Sequence, residues 1–135
     1  MSAAEVFFDT DVLVYLLSAD HAKADRAESL IAAGGTISVQ VLNEFVSVAL
    51  RKSALDLAGI REILATVRAV CRVAPVDIET HDLALDLVER YRFSIYDGLI
   101  IAAALRAECT LLYSEDLHHG QAIDGLTIQN PFSAA

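Results

Sequence analysis

Short apolar runs alternating with longer helical stretches predict an α/β fold whose parallel sheet is covered by helices on both faces. Two further observations support this class. The chain has 135 residues, 55% of them hydrophobic, which suits one domain with a full core spanning 1–135. It also carries no linker, repeat or low-complexity stretch, and its only prolines are Pro75 and Pro131.

The elements follow in order. Val6-Phe7-Phe8 is short, apolar and aromatic, as a buried strand is, and it ends at Asp9-Thr10-Asp11, where a polar side chain can cap a helix opening at Val12. A helical pattern from Ala22 to Ala33 stops at Gly34-Gly35, and Thr36-Ile37-Ser38 gives a second strand. Helices over about Val39 to Lys52 and Asp56 to Ala69 lead to a third strand, Cys71 to Ala74. Leu83, Leu87 and Val88 mark one face of a helix over about Glu79 to Tyr91. The stretch from Tyr96 to Arg106 is apolar nearly all round, so its helix is expected to be buried on most sides. Thr110 to Tyr113 reads as a fourth strand ending at Ser114-Glu115-Asp116, and Leu126-Thr127-Ile128 as a fifth.

Composition excludes several classes. No apolar run approaches the roughly 18–20 residues of a membrane span, and the N-terminus lacks a signal-like pattern, so a cytoplasmic protein with no membrane association is expected. Cys71 and Cys109 lack CxxC spacing and are read as buried free thiols. His21, His81, His118 and His119 are not at ligand-like helical spacing; the His118-His119 pair is read as surface loop. A net charge of −9 argues against broad electrostatic attraction to nucleic acid. Any such role must be local, for a bound cation can turn an acidic pocket into a phosphate site.

Four acids stand out by position. Sites in open parallel sheets form beyond the carboxyl ends of the strands, where Asp9 and Asp116 both fall. Thr10 or Asp11 could cap the helix that follows, leaving Asp9 available for chemistry. Glu44 lies at the edge of a polar stripe with Gln40, Asn43, Ser47 and Arg51, where a solvated glutamate would be, yet within two turns of a strand end. Asp97 forms an [ST]-x-x-[DE] pair with Ser94 before an apolar run, so helix capping competes with metal binding there. Asp116, in a Ser-Glu-Asp cluster, could likewise be a cap, and Glu115 beside it reads as a surface residue. Four carboxylates gathered at one sheet edge would repel one another unless a divalent cation lay between them.

Phe8-Asp9-Thr10-Asp11, then Asn43-Glu44, Tyr96-Asp97 and Ser114-Glu115-Asp116, in that order, resemble the PIN-domain pattern, especially that of VapC-type toxins of toxin–antitoxin pairs. The resemblance runs from about Val6 to Phe132. It implies a PIN-like α/β/α sandwich with a five-stranded parallel sheet, and an Mg²⁺- or Mn²⁺-dependent ribonuclease. By the same resemblance Asp9 and Asp97 would be the principal metal ligands, Glu44 and Asp116 would complete the catalytic acids, and the hydroxyls of Thr10 and Ser114 would support them. Water activated beside Asp9 and Asp97 would cut RNA to leave a 3′ hydroxyl and a 5′ phosphate. A cognate VapB-type antitoxin, inhibiting by a cationic side chain in the acidic pocket, and a homodimer are implied as well. Asp11 departs from the Asn or small polar residue that many relatives carry. Arg51-Lys52, Arg90 and Arg92 are the nearest candidate contacts for RNA. Two alternatives stay open: a PIN-like binding module without catalysis, and a haloacid-dehalogenase-type phosphotransferase using Asp9 as nucleophile. The second wants a late lysine, and the only lysines are Lys23 and Lys52.

Overall fold

The computed structural model describes residues 2 and 5–133. Strand β1 (Val6–Phe8) leads into helix α1 (Thr10–Val14), a 3₁₀ turn over Tyr15–Leu17, and α2 (His21–Ala32). Then come β2 (Gly35–Ser38), α3 (Val39–Lys52), α4 (Leu57–Val70), β3 (Cys71–Ala74), α5 (Ile78–Tyr91) and α6 (Ile95–Arg106). Strands β4 (Leu111–Tyr113), β5 (Ala122–Ile123) and β6 (Leu126–Gln129) complete the described elements.

The sheet order is β3-β2-β1-β4-β6-β5. β1 pairs in parallel with β2 on one side and β4 on the other, placing Phe7 opposite Thr36 and Leu112. β3 and β6 extend the parallel set outward on β2 and β4. Successive strand residues face opposite sides of a sheet. Phe7 and Phe8 are both fully buried, so helices cover both faces of β1. This is the α/β sandwich that the alternating pattern predicts.

One expectation is corrected: the sheet has six strands, not five, because β5 joins as a short antiparallel edge, with Ile123 opposite Leu126. The cause is the turn between them. Asp124 (φ 50°) and Gly125 (φ 89°) are both left-handed. Two such residues make the tight hairpin connection whose twist matches that of the flanking strands.

Polar caps set where the helices begin. Asp20, Ser38, Asp56, Asp77 and Ser94 each accept a backbone N–H in the first turn of the helix they precede. Several of the acids behind the negative net charge are thus caps, not site residues. α6 is buried over Gly98, Ile100 and Ile101 to Ala104, as its all-round apolarity predicts. A β-carbon on Gly98 would lie 3.1 Å from the carbonyl oxygen of Ala84, so glycine lets α6 lie close against α5 just after Asp97.

Candidate active site

The chain leaves β1 toward β2 on one side, while β4 lies on the other, so the two connections part at the β1–β4 boundary. Clefts of open α/β sheets form at this kind of switch point. Here the final rung of the ladder is Asp9 N–H donating to the Tyr113 carbonyl at 3.0 Å. The residues that follow the two strands, Asp9-Thr10-Asp11 and Ser114-Glu115-Asp116, are therefore neighbours although about a hundred positions apart in sequence.

Asp9 is 7% exposed and held by both oxygens. Oδ1 accepts the Thr10 N–H at 2.7 Å, and Oδ2 accepts the Ser114 hydroxyl at 2.7 Å. The helix thus opens at Thr10, not Val12, and its cap is Asp9 itself, not Thr10 or Asp11. The short polar side chains of Thr10 and Asp11 turn elsewhere. Capping does not exhaust the carboxylate, because each oxygen has a second lone pair.

Thr10 spends its hydroxyl on Glu44, donating to Oε1 at 2.7 Å. Gln40 Nε2 donates to the same oxygen at 3.4 Å and to the Tyr96 carbonyl at 3.1 Å. The polar-stripe reading of Glu44 is corrected here: Asn43, Ser47 and Arg51 are exposed, whereas Gln40, Glu44 and Val48 are half-buried along α3. Residues four apart on a helix share a face, and this face turns to the cleft.

Asp97 sits in the first turn of α6, its N–H donating to the Ser94 hydroxyl at 3.1 Å. The reciprocal bond of a full capping box forms between Asp77 and Thr80 but not at Ser94 among the described residues. The Asp97 carboxylate thus makes no bond back to the cap backbone, although the Ser94 side chain hydrogen-bonds it. Asp116 is exposed at the mouth.

Asp9, Asp11, Glu44, Asp97 and Asp116 all line one cleft of about 290 Å³, together with Thr10. Burial pushes the Asp9 carboxyl up to about 6, and the charges of Asp116 and Asp97 add to this against the lowering effect of Ser114 and Thr10. Asp97 is raised by burial, against the lowering effect of its Ser94 hydrogen bond, with the Asp116 charge adding to the rise. These are the marks of crowded negative charge that no cation pairs with among the described residues.

Sequence reasoning did not place Asp11. Its Oδ2 accepts the backbone N–H groups of Glu115 at 2.9 Å and Asp116 at 3.1 Å, tying the loop after β4 to α1. Its Oδ1 is buried without a hydrogen-bond partner, and burial, then the Asp9 charge, push this carboxyl up to about 8. Glu115 faces a different neighbour: it accepts the Tyr15 hydroxyl at 2.6 Å and pairs with Lys23 at 3.6 Å.

The other candidates separate cleanly. Lys52 lines the acidic cleft, while Arg51 and Arg92 do not. Arg90 is engaged with Asp124 at 3.4 Å and with the Tyr91 hydroxyl at 2.9 Å. His118 and His119 are exposed, and His119 Nδ1 accepts the Asn130 N–H. Both cysteines are buried and outside any disulfide among the described residues, with burial pushing Cys71 up to about 11.

The donor set tells which ion would fit. It offers carboxylate and hydroxyl oxygen only, which hard divalent cations prefer. Among the described residues no three His, Cys, Asp or Glu side chains already form a closed metal cage. A hard divalent cation held by one or two carboxylates and completing its shell with water would fit so open an arrangement. The raised Asp9 and Asp97 carboxyls and the orphaned Asp11 oxygen are what such a charge would offset.

Solved structures share this fold. VapC20 of Mycobacterium tuberculosis, described as a sarcin-ricin loop cleaving toxin, is 22% identical, with a TM-score of 0.65 over 82% of this chain and 89% of its own. A toxin–antitoxin complex from Klebsiella pneumoniae is 17% identical, with a TM-score of 0.70 over 94% and 98% of the two chains. VapBC2 from Rickettsia felis, bound to a DNA fragment from its promoter, is 17% identical, with a TM-score of 0.65 over 93% and 97%. No curated protein matches the chain. Residues 6–122, which run from the first residue of β1 to the first of β5 and include every acid of the cleft, match the PIN-domain family, and the chain belongs to it.

Proposed function

We propose that the chain is a metal-dependent endoribonuclease and the VapC-type toxin of a toxin–antitoxin pair. The observation that carries this reading is the convergence of five acids from four separate segments into one cleft at the β1–β4 switch point. The similarity to a toxin described as cleaving the sarcin-ricin loop, and to two toxin–antitoxin assemblies, favours RNA as substrate and an antitoxin as partner.

Asp9 and Asp97 would hold Mg²⁺ or Mn²⁺, which when bound supplies Lewis acidity for water and positive charge for the phosphate. The chain's own residues do the rest. Ser114 and the Thr10 N–H fix the Asp9 carboxylate plane. Thr10 and Gln40 hold Glu44 by Oε1, which leaves Oε2 to take a hydrogen bond, and then a proton, from the attacking water. Asp11 holds the backbone of Asp116 at the mouth. Val14, Val48 and Ile100 give the cleft apolar walls, which strengthen electrostatic interactions within it. Cleavage would leave a 3′ hydroxyl and a 5′ phosphate.

The same acidic cleft suits inhibition by an antitoxin that inserts a cationic side chain, and a homodimer in the cytoplasm completes the proposal. Among the described residues no helix is long and apolar enough to cross a membrane.

The test is incubation of purified protein with structured RNAs and Mn²⁺, followed by mapping of the product ends. Wild type should yield 5′-phosphorylated fragments, and Asp9→Asn should yield none. Fragments that end in 2′,3′-cyclic phosphate, or that Asp9→Asn produces equally, would point to a different chemistry or a contaminant.

A further inference from the structure

The cleft runs along α3 beside the acids and joins a second cleft at Val48 and Lys52. Gln40, Glu44, Val48 and Lys52 recur every four residues on one helical face, and at about 1.5 Å rise per residue this line is roughly 18 Å long. At its start, Gln40 holds the Tyr96 carbonyl at 3.1 Å, and the Tyr96 ring is 64% exposed at the cleft rim. Tyr96 is thus a large aromatic side chain that lines the cleft and stays mostly open to solvent. At its end, Lys52 lines both the acidic cleft and an adjoining cleft of about 450 Å³, which Val14, Leu17 and Val48 wall on one side and Asp11, Glu115 and Asp116 on the other. Lys23, Arg90 and Arg106 are ion-paired, but Lys52 has no ion pair among the described residues.

We infer that Tyr96 and Lys52 set the track of the RNA strand across this line, Tyr96 stacking a base on one side of the acids and Lys52 binding a backbone phosphate on the other. The inference rests on the nuclease reading for where the bond between them is cut. Exposed aromatics are sequence-tolerant platforms for unstacked bases, whereas bases inside a duplex offer no free face to such a ring. A lone unpaired ammonium acts on phosphate as a point charge. In a chain of net charge −9, one cation at the end of the track gives the strand a direction without attracting RNA elsewhere.

The test measures binding and cleavage separately. Fluorescence anisotropy with a labelled single-stranded RNA oligonucleotide in Ca²⁺ buffer reads affinity at several salt concentrations. Tyr96→Ala should weaken binding about tenfold, and Tyr96→Phe should restore it. Lys52→Ala should weaken it several-fold and flatten the log–log salt slope by about 0.7, Lys52→Arg should restore both, and Arg51→Ala should change neither. The same sequence as a duplex should bind at least about tenfold more weakly, for want of free base faces. Both Tyr96 and Lys52 are exposed, so their variants should keep the wild-type melting temperature. The track is overturned if wild type does not bind the single strand, if both alanine variants bind like wild type, or if the duplex binds equally well. Cleavage measured in parallel with Mn²⁺ keeps the readings apart. Binding losses in a wild type that cuts nothing would sink the nuclease and spare the track; unaltered binding in an active enzyme would do the reverse.

Discussion

Burial and the Asp9 charge raise the Asp11 carboxyl further than that of Asp9. One Asp11 oxygen accepts two backbone N–H groups and, at 3.4 Å, the Ser114 hydroxyl, while the other has no partner. Asparagine would keep an oxygen for those N–H groups and remove the charge. Asp11→Asn should therefore raise the melting temperature of the metal-free protein at pH 8, while Asp11→Ala, which strands the two donors, should cost about 1–3 kcal/mol of stability and lower it. Thermal denaturation in chelator checks both. Ser114→Ala removes the donor that orients Asp9, and rates with Mn²⁺ should fall about 10- to 100-fold. Among these residues only Asp9 was largely legible alone, because a carboxylate ending an apolar strand needs a reason. Glu44 was not: a helical wheel shows which residues share a face but not which face meets a cleft. Asp11 was visible as an extra charge, but its partners lie 104 and 105 residues away and exist only once β1 and β4 pair.

At the scale of elements, close approach decides where strands and helices can lie. A β-carbon on Gly35 would come within 2.5 Å of the Phe8 ring, in a fully packed region beside the end of β1. Gly35→Ala should destabilise the fold by about 1–3 kcal/mol as that ring is displaced. Urea unfolding would show it as a lower midpoint with an unchanged slope. Period and caps made the major helices readable, with the polar residue before each marking its start. β5 was missed because two residues make no apolar run. Its signal was the Asp124-Gly125 pair, which only the left-handed turn makes meaningful. The start of α1 shifted for a related reason: three consecutive polar residues could each cap, and only pairing of β4 beside β1, which brings in Ser114, selects Asp9.

For the molecule as a whole, the crowded acids link stability to pH and to cations. The Asp9 and Asp11 carboxyls rise from an ordinary 3.8 to about 6 and about 8 on folding, so the folded state holds protons that the unfolded chain has already lost. Stability without metal should then be greatest below about pH 4 as far as these two groups are concerned, and should fall as pH rises through 6 toward 8. A divalent cation replaces those protons. Added Mn²⁺ should raise the melting temperature more at pH 8 than at pH 5, because fewer protons compete for the carboxylates at the higher pH. Melting curves in chelator and in Mn²⁺ across pH 5–8.5 check this; a flat metal-free profile would contradict the charge crowding. The general architecture was legible because hydrophobic burial on both sheet faces imposes its alternation on the whole chain. The cleft was legible only as a set of candidate acids, since their convergence depends on strand order, which no local pattern encodes.

The central claim is that these acids hold a divalent ion for RNA hydrolysis. Its most direct test is cleavage of a panel of transfer, ribosomal and messenger RNAs by chelated protein as Mg²⁺ or Mn²⁺ is restored, with Asp97→Asn alongside. Cleavage should be absent in chelator, return with the ion in wild type, and not return in Asp97→Asn. Wild type that cuts none of the RNAs at any metal concentration, or cuts them equally well in chelator, would contradict the account.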